Sequence, residues 1–136
     1  MTERAANPFD LTGKVIAVTG GNRGIGLGLA RGLAQAGAHL SLWARNEASI
    51  ADAAESLARE GVEVQALRCD VSSADDVEAA TQQTLERFGR IDAGFANAGF
   101  GEPANPLKLE LDDFHRILAT NLDGVFLCFR AWGRHM

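Results

Sequence analysis

The 136-residue sequence contains no tyrosine, only two lysines and two cysteines, and no long hydrophobic run. Without tyrosine, no phenol is available as a general acid. Cys69 and Cys128 lie far apart and form no CxxC pattern, so they fit neither a zinc site nor a disulfide framework, and we expect both to be packing residues. No stretch approaches the roughly 18 consecutive apolar residues of a membrane span, and residues 1–10 lack the apolar core of a signal peptide. A cytoplasmic location is therefore the default expectation.

Basic residues are too few and too scattered for a nucleic-acid interface. The formal net charge is -5, whereas binding of a phosphate backbone requires clustered Lys and Arg. The histidines His39, His115 and His135 have no sequence neighbour that suggests a pair of metal ligands. A hydrophobic fraction of 46% and a charged fraction of 23% are typical of one globular domain, which we place at residues 1–136. We expect no nucleic-acid, membrane or metal partner.

Short apolar runs alternate with segments of helical periodicity along the whole chain. The predicted strands are 15–19, 38–44, 62–69 and 91–96, and the predicted helices are 24–35, 47–60, 74–88 and a last helix near the end of the chain. Asn46, Ser73 and Asp112 are the predicted N-caps of the second, third and last helices. Such alternation predicts right-handed βαβ crossovers, and hence an α/β, doubly wound fold around a parallel sheet.

The same periodicity predicts which helical side chains face the core. On the first helix these are Ile25, Leu29 and Leu33. The last helix carries a longer inward stripe, which consists of Phe114, Ile117, Leu118, Leu122, Val125, Phe126 and Phe129. We also expect the fourth strand to form an exposed edge of the sheet.

A glycine-rich turn joins the first strand to the first helix. Glycines at this junction let backbone N–H groups approach phosphate oxygens without a Cβ in the way, and the positive end of the helix dipole adds attraction. The position of the turn, after a strand and before a helix, is the context that a dinucleotide site requires. The residues predicted to contact a cofactor here are Thr19, Gly20, Asn22, Arg23, Gly24, Ile25 and Gly26.

The end of the second strand bears on the choice between NADP and NAD. NAD-binding turns carry an acidic residue about 20 positions after the glycines, at the end of the second strand, where it bonds the ribose hydroxyls. Here that position is Ala44, and Arg45 follows it. Arg45 and Arg23 could converge on a 2′-phosphate, which favours NADP over NAD. Alternatively, Arg45 is a solvated residue at a helix start and Arg23 covers the turn with its aliphatic stem.

Four segments, in the right order, resemble those of the short-chain dehydrogenases/reductases. Thr19–Gly26 matches their TGxxxGxG turn, and Asp70-Val71 ends the third strand as theirs does. The segment 96–99 is similar to their NNAG element, with Ala96 in place of the first asparagine, and Asn121–Phe126 resembles their NxxGxF stretch. The resemblance implies the N-terminal part of a Rossmann-type fold, truncated after the helix that follows the fourth strand. It also implies hydride transfer between NADP(H) and an alcohol or ketone.

The resemblance further assigns roles to single residues. Asp70 would accept a hydrogen bond from the adenine amino group, with the Val71 backbone beside the ring; alternatively, Asp70 caps the turn that follows it. Asn121 would be a catalytic residue that holds a water in a proton relay; alternatively, it bonds to a neighbouring backbone group. The residues that would contact the cofactor ribose are Asn97, Ala98 and Gly99.

The family's general acid is a tyrosine in a YxxxK motif, assisted by a serine. This chain has no tyrosine, its lysines are Lys14 and Lys108, and no serine follows Ser73. We therefore expect the 136-residue chain to be inactive by itself. The alternatives to an oxidoreductase are a truncated nucleotide-binding module without turnover and a regulatory partner of a full-length relative. In the family the last helix lies in a dimer interface, so a homo-oligomer is expected as well.

Overall fold

The structure, a computed structural model, describes residues 7–136. Residues 1–6 lie outside the described part, and with them most of the segment on which the absence of a signal peptide was argued and the first residues of the 1–136 domain. The strands are β1 (Val15–Thr19), β2 (His39–Ala44), β3 (Val64–Arg68) and β4 (Ala93–Phe95). The helices are α1 (Gly24–Gln35), α2 (Glu47–Ala58), α3 (Ala74–Phe88), α4 (Leu111–Leu118) and α5 (Gly124–Gly133), with a π-helical turn at Ala119–Asp123 between the last two.

The four strands form one parallel sheet in the order β3-β2-β1-β4. Every residue of β1 is buried, as expected for a central strand covered on both faces. The chain runs outward from β1 to β3 and then returns to the other side of β1, so the strand order reverses between β1 and β4. The carboxyl edge of the sheet at such a reversal is where open α/β folds bind ligands. The predicted fold class is confirmed, and β4 is an edge strand of the described sheet.

Two hydrophobic cores cover the two faces of the sheet. One lies under α1 and α2 and includes Val18, Leu42 and Leu57. The other lies under α3 and α5, and Trp43 and Trp132 meet edge to face within it, with ring centroids 5.4 Å apart. Cys69 and Cys128 are both buried and free in this second core, which confirms the prediction that they are packing residues.

The inward face of α1 differs from the prediction by one position. Ile25 is 78% exposed, and the residues that face the sheet are Gly26, Ala30 and Ala34. The reason is the close approach of the helix to the glycine turn: a Cβ on Gly26 would lie 2.0 Å from the carbonyl oxygen of Gly20. Only small side chains fit at that separation, so the large apolar residues are displaced to the sides of the helix.

Two of the three predicted N-caps are confirmed. Asn46 Oδ1 accepts a hydrogen bond from the Ser49 N–H at 2.9 Å, and Ser73 Oγ accepts one from the Asp76 N–H at 3.2 Å. The prediction for Asp112 was wrong, because α4 begins at Leu111 and the N-cap position is Glu110, whose side chain makes no capping bond. Asp112 lies instead in the first helical turn, where the helix dipole interacts favourably with a carboxylate.

The predicted inward stripe of the last helix is largely exposed, and the helix departs from regular α geometry within this stripe. Phe114, Leu122, Phe126 and Phe129 have exposed fractions between 44% and 61%. The π-helical turn adds about one residue to a helical repeat and so rotates the following face relative to a regular 3.6-residue period. Helix α5 packs on the sheet through smaller residues and one indole, namely Gly124, Cys128, Ala131 and Trp132.

Candidate functional site

A cleft of about 860 Å³ opens at the carboxyl edge of the sheet, between β1 and its neighbours on both sides. Its size is within the usual range of small-molecule and cofactor sites. The cleft is lined by Gly20, Asn22, Arg23, Gly24, Ile25, Gly26, Trp43, Ala44, Arg45, Asn46, Ser49, Cys69, Asp70, Val71, Asn97, Ala98, Gly99, Phe100 and Thr120. The structure thus brings together at one cleft all but two of the residues that the sequence predicted for the site. The two exceptions are Thr19 and Asn121.

The glycine turn forms the first wall of the cleft. Gly20 and Gly24 have φ angles of 66° and 54°, a left-handed conformation that favours glycine. A Cβ on Gly24 would meet nothing within 4 Å, so the space above the turn is open. Arg23 precedes the first helical residue of α1 and makes no side-chain capping bond. The first N–H groups of a helix have no partner within the helix, and the first residues of α1, Gly24, Ile25 and Gly26, line the cleft.

The segment after β4 is fastened to this turn by two polar side chains. Asn97 Nδ2 donates to the carbonyl oxygen of Thr19 at 3.1 Å. Thr19 Oγ1 accepts a hydrogen bond from the Ala98 N–H at 2.9 Å. Thr19 is buried behind the cleft rather than on its surface. It therefore holds the cleft-lining residue Ala98 in place and does not line the cleft itself. Asn97 lies between the two loops that a ligand in the cleft would contact.

The N-terminus of α2 forms the opposite wall. Ser49 Oγ accepts a hydrogen bond from Asn22 Nδ2 at 2.9 Å, which links this wall to the glycine turn. Ser49 also donates through its hydroxyl to the carbonyl oxygen of Asn46 at 3.2 Å. Ser49 was not predicted as a site residue, since no local sequence pattern indicates that its hydroxyl contacts a turn 27 residues earlier. Its position three residues after the N-cap Asn46 was the one available signal that it lies at the helix terminus.

Two guanidinium groups stand at the mouth of the cleft. Arg23 and Arg45 are both exposed, and neither takes part in an ion pair with any residue of the described range 7–136. The Arg45 guanidinium lies over the Phe100 ring, 6.0 Å from its centroid, at the outer limit of a cation–π contact. Ala44, at the end of β2, offers no carboxylate to this part of the cleft.

Asp70 approaches the cleft after β3 and is held by local hydrogen bonds. Asp70 Oδ1 accepts from the Ser72 N–H at 3.0 Å and from the Ser72 hydroxyl at 2.7 Å. The Asp70 N–H donates to Asp76 Oδ2 at 2.9 Å, and this bond together with the Arg68 guanidinium holds the pKa of the Asp76 carboxyl below its usual value. The cap that was the alternative interpretation of Asp70 is therefore present, and it uses one carboxylate oxygen.

Asn121 lies in the π-helical turn beside the cleft and bonds to a backbone distant in sequence. Its Nδ2 donates to the carbonyl oxygen of Phe100 at 2.8 Å, and its Oδ1 accepts from the Phe100 N–H at 3.0 Å. This paired contact corresponds to the alternative interpretation of a backbone-bonded asparagine, although the partner is 21 residues away. A Cβ on Gly99 would lie 3.1 Å from Asn121 Oδ1, so the small residue allows this close approach.

Trp43 contributes part of the cleft floor, and a buried polar network fixes its ring. Its Nε1 donates to Ser41 Oγ at 2.8 Å, and Ser41 Oγ lies 2.7 Å from Thr84 Oγ1 of α3. Cys69, also at the floor, is 2% exposed. Burial raises the pKa of its thiol to about 12. Because the thiolate is the reactive form of cysteine, Cys69 is not a nucleophile at neutral pH.

Within residues 7–136, no group of three or more His, Cys, Asp or Glu side chains is placed to hold a metal ion. No helix in the same range is long and apolar enough to cross a membrane.

Comparisons of the sequence and of the structure with known proteins both match this chain to dehydrogenases. A family model described as short chain dehydrogenase matches residues 14–136. The chain is 37% identical over 131 residues to the NADP-dependent mannitol dehydrogenase of Alternaria alternata, and the aligned region covers 93% of this chain and 49% of that protein.

Two solved structures show the same similarity in three dimensions. One is the alcohol dehydrogenase of the archaeon Thermococcus sibiricus in complex with 5-hydroxy-NADP, with a TM-score of 0.86 and 39% identity, covering 90% of this chain and 52% of that one. Another is an NAD+-bound xylitol dehydrogenase, with a TM-score of 0.89 and 36% identity, covering 93% and 49%. The chain spans about half the length of the relatives that it matches.

Proposed function

The chain belongs to the short-chain dehydrogenase family, whose members are NAD(P)-dependent oxidoreductases, and from this premise we propose that it is the cofactor-binding part of an enzyme that transfers hydride between NADP(H) and an alcohol or ketone. One observation carries the proposal. The glycine turn, the end of β2, the end of β3 and the segment after β4 all line a single cleft at the reversal of strand order. Open α/β folds bind dinucleotides at that position.

The groups that line the cleft fit a dinucleotide. N–H groups at the start of α1, with the positive end of the helix dipole, suit a pyrophosphate. Asp70 has a carboxylate oxygen beyond the one that Ser72 occupies, and it suits an amino group such as that of adenine. The residues proposed to lie along the ribose nearer the reacting end are Asn97, Ala98 and Gly99. When bound, the nicotinamide ring supplies the hydride chemistry.

We assign the preference for NADP over NAD to Arg23 and Arg45. Both guanidinium groups lie at the cleft mouth, near the end of β2, where Ala44 stands and offers no carboxylate that would repel a 2′-phosphate. A guanidinium can bind a phosphate through two parallel hydrogen bonds. Among the relatives, the mannitol dehydrogenase is named as NADP-dependent and the xylitol dehydrogenase is NAD+-bound. The preference therefore rests on the two arginines of this chain.

For catalysis we propose a role for Asn121 and none for other described side chains. The paired hydrogen bonds of Asn121 to the Phe100 backbone hold the segment after β4 against the π-helical turn, and an ordered water in a proton relay would be held from this position. The sequence has no tyrosine to act as the family's general acid. A second candidate function follows from that composition: the 136-residue chain binds the cofactor without turning over a substrate, as a nucleotide-binding module or as a regulatory partner of a complete relative.

We also propose that the chain associates with a second copy through α4 and α5. The exposed large apolar residues of this face are Leu111, Phe114, Leu122, Phe126 and Phe129. Large exposed apolar surfaces mark interaction sites, and Phe126 and Phe129 stand at the i, i+3 spacing that places them on one face of α5. The last helix also lies in the dimer interface of the family that the chain resembles.

The experiment that tests the proposed function is a calorimetric titration of the chain with NADP+ and, separately, with NAD+. We expect saturable binding that is tighter for NADP+. An Arg45→Ala variant should weaken NADP+ binding by about tenfold, the loss of one charge-assisted contact, and should leave NAD+ binding nearly unchanged. Arg59→Ala, which removes an exposed arginine at the far end of α2, is the matched control. Equal loss of NADP+ and NAD+ binding in Arg45→Ala would contradict the assignment, and no binding of either nucleotide by the parent chain would contradict the proposed function.

A further inference from the structure

Ser49 links the two walls of the cleft, because its hydroxyl accepts a hydrogen bond from the glycine turn and donates one to the start of α2. Ser49 Oγ accepts from Asn22 Nδ2 at 2.9 Å and donates to the Asn46 carbonyl oxygen at 3.2 Å. The Ser49 N–H in turn donates to Asn46 Oδ1 at 2.9 Å. Among the described residues, the bond between Asn22 and Ser49 is the one side-chain hydrogen bond that joins the glycine turn to α2.

From this geometry we infer that Ser49 is a positioning residue for cofactor binding and for the preference for NADP. Asn22 is the residue before Arg23, and Asn46 is the residue after Arg45. The bridge from Asn22 through Ser49 to Asn46 therefore fixes the spacing between the backbone positions that carry the two guanidinium groups. The inference rests on the proposed function, since it assumes that a dinucleotide with a 2′-phosphate occupies the cleft.

The physical benefit of the bridge is preorganisation. The turn at residues 20–24 contains three glycines, and such a segment loses much conformational entropy when it closes around a ligand. A bond that already orders the turn in the free chain lowers that cost, so the ligand binds more tightly without any new contact. Binding of NADP+ should depend on the spacing of the two arginines more than binding of NAD+ does. Both guanidinium groups must reach the single 2′-phosphate of NADP+ at once, whereas NAD+ has only a hydroxyl at this position.

The test is a double-mutant cycle over the parent, Ser49→Ala, Asn22→Ala and the double variant, with two measurements on each protein. The first is the dissociation constant for NADP+ and for NAD+. The loss of one neutral hydrogen bond corresponds to about a three- to tenfold weakening of NADP+ binding in Ser49→Ala, with a smaller change for NAD+. The double variant should bind no more weakly than Asn22→Ala alone. Ser49→Thr, which keeps the hydroxyl, should restore most of the NADP+ affinity, and Ser56→Ala, on an exposed turn of the same helix, should bind like the parent.

The second measurement is the unfolding equilibrium in urea, which involves no ligand. Non-additive effects of Ser49→Ala and Asn22→Ala are expected, because both substitutions break the same bond. Additive effects in unfolding would overturn the bridge, and equal weakening of NADP+ and NAD+ would overturn its role in selectivity. If the parent binds neither nucleotide, the proposed function fails and the positioning role fails with it. If the parent binds NADP+ and Ser49→Ala binds it equally well, the positioning role alone is overturned.

Discussion

Replacement of Gly26 by alanine should destabilise the chain and abolish ligand binding in the cleft, although alanine is the better helix former. The added Cβ would lie 2.0 Å from the Gly20 carbonyl oxygen and 2.6 Å from Asn97 Nδ2. Since Cβ atoms essentially never come within 3.0 Å of such neighbours, the glycine turn and α1 must separate by about 1 Å or more. Overpacking of this kind costs about 1–3 kcal/mol, and only up to about 1 kcal/mol is recovered from helix propensity.

Gly28, one helical half-turn further along α1, is the matched control. A Cβ there would meet nothing within 4 Å, so Gly28→Ala should stabilise the chain by about 0.5–1 kcal/mol. Urea denaturation of both variants should therefore place them on opposite sides of the parent. The difference should be about 1–3 kcal/mol, because the gain in helix propensity is common to both and only Gly26→Ala adds overpacking. Calorimetry should find NADP+ binding retained in Gly28→Ala and lost in Gly26→Ala. Equal stability of the two variants, or parent-like binding by Gly26→Ala, would refute the account of the turn.

Two further predictions concern the pH dependence of stability and the exposed face of the last helices. The pKa of Asp76 is lowered in the folded chain by the Asp70 N–H and Arg68, so its contribution to stability is present above its unfolded pKa of about 4 and disappears as the pH falls through the folded value. Asp76→Asn should thus lose about 1 kcal/mol at pH 7 and progressively less as the pH falls below about 4, measured by urea denaturation, and a loss that stayed constant with pH would be inconsistent with this origin. Phe126 is 60% exposed, and Phe126→Asp should shift the chain towards monomer in sedimentation velocity relative to a Ser56→Asp control; a parent chain that is monomeric at high concentration would exclude the association.

Elements bounded by local signals were predictable from the sequence. Helix α3 runs from Ala74 to Phe88 as expected, because Ser73 supplies a capping hydroxyl and Gly89 takes a left-handed φ of 75°. The parallel sheet and the position of the cleft followed from the alternation of strands and helices together with the glycine turn. These features depend on residues that are close together in the chain.

Features that depend on close packing between distant elements were not predictable. Hydrophobic periodicity predicted that Ile25 faces the core. The short distance between α1 and the glycine turn instead admits only Gly26 and other small residues on that face. The π-helical turn at Ala119–Asp123 could not be inferred from periodicity, because it is itself the interruption of the period. The hydrogen bond between Asn22 and Ser49 joins residues 27 positions apart and has no local pattern.

We propose that one cleft at the carboxyl edge of the sheet binds NADP(H). The most direct test is an amide NMR titration of the isotopically labelled chain with NADP+. We predict that the shifted resonances lie in the segments 20–26, 45–49, 69–71 and 97–100, which contain most of the residues that line this cleft. Saturating NADP+ that left these resonances unchanged, or that shifted a set of residues elsewhere on the chain, would contradict the claim.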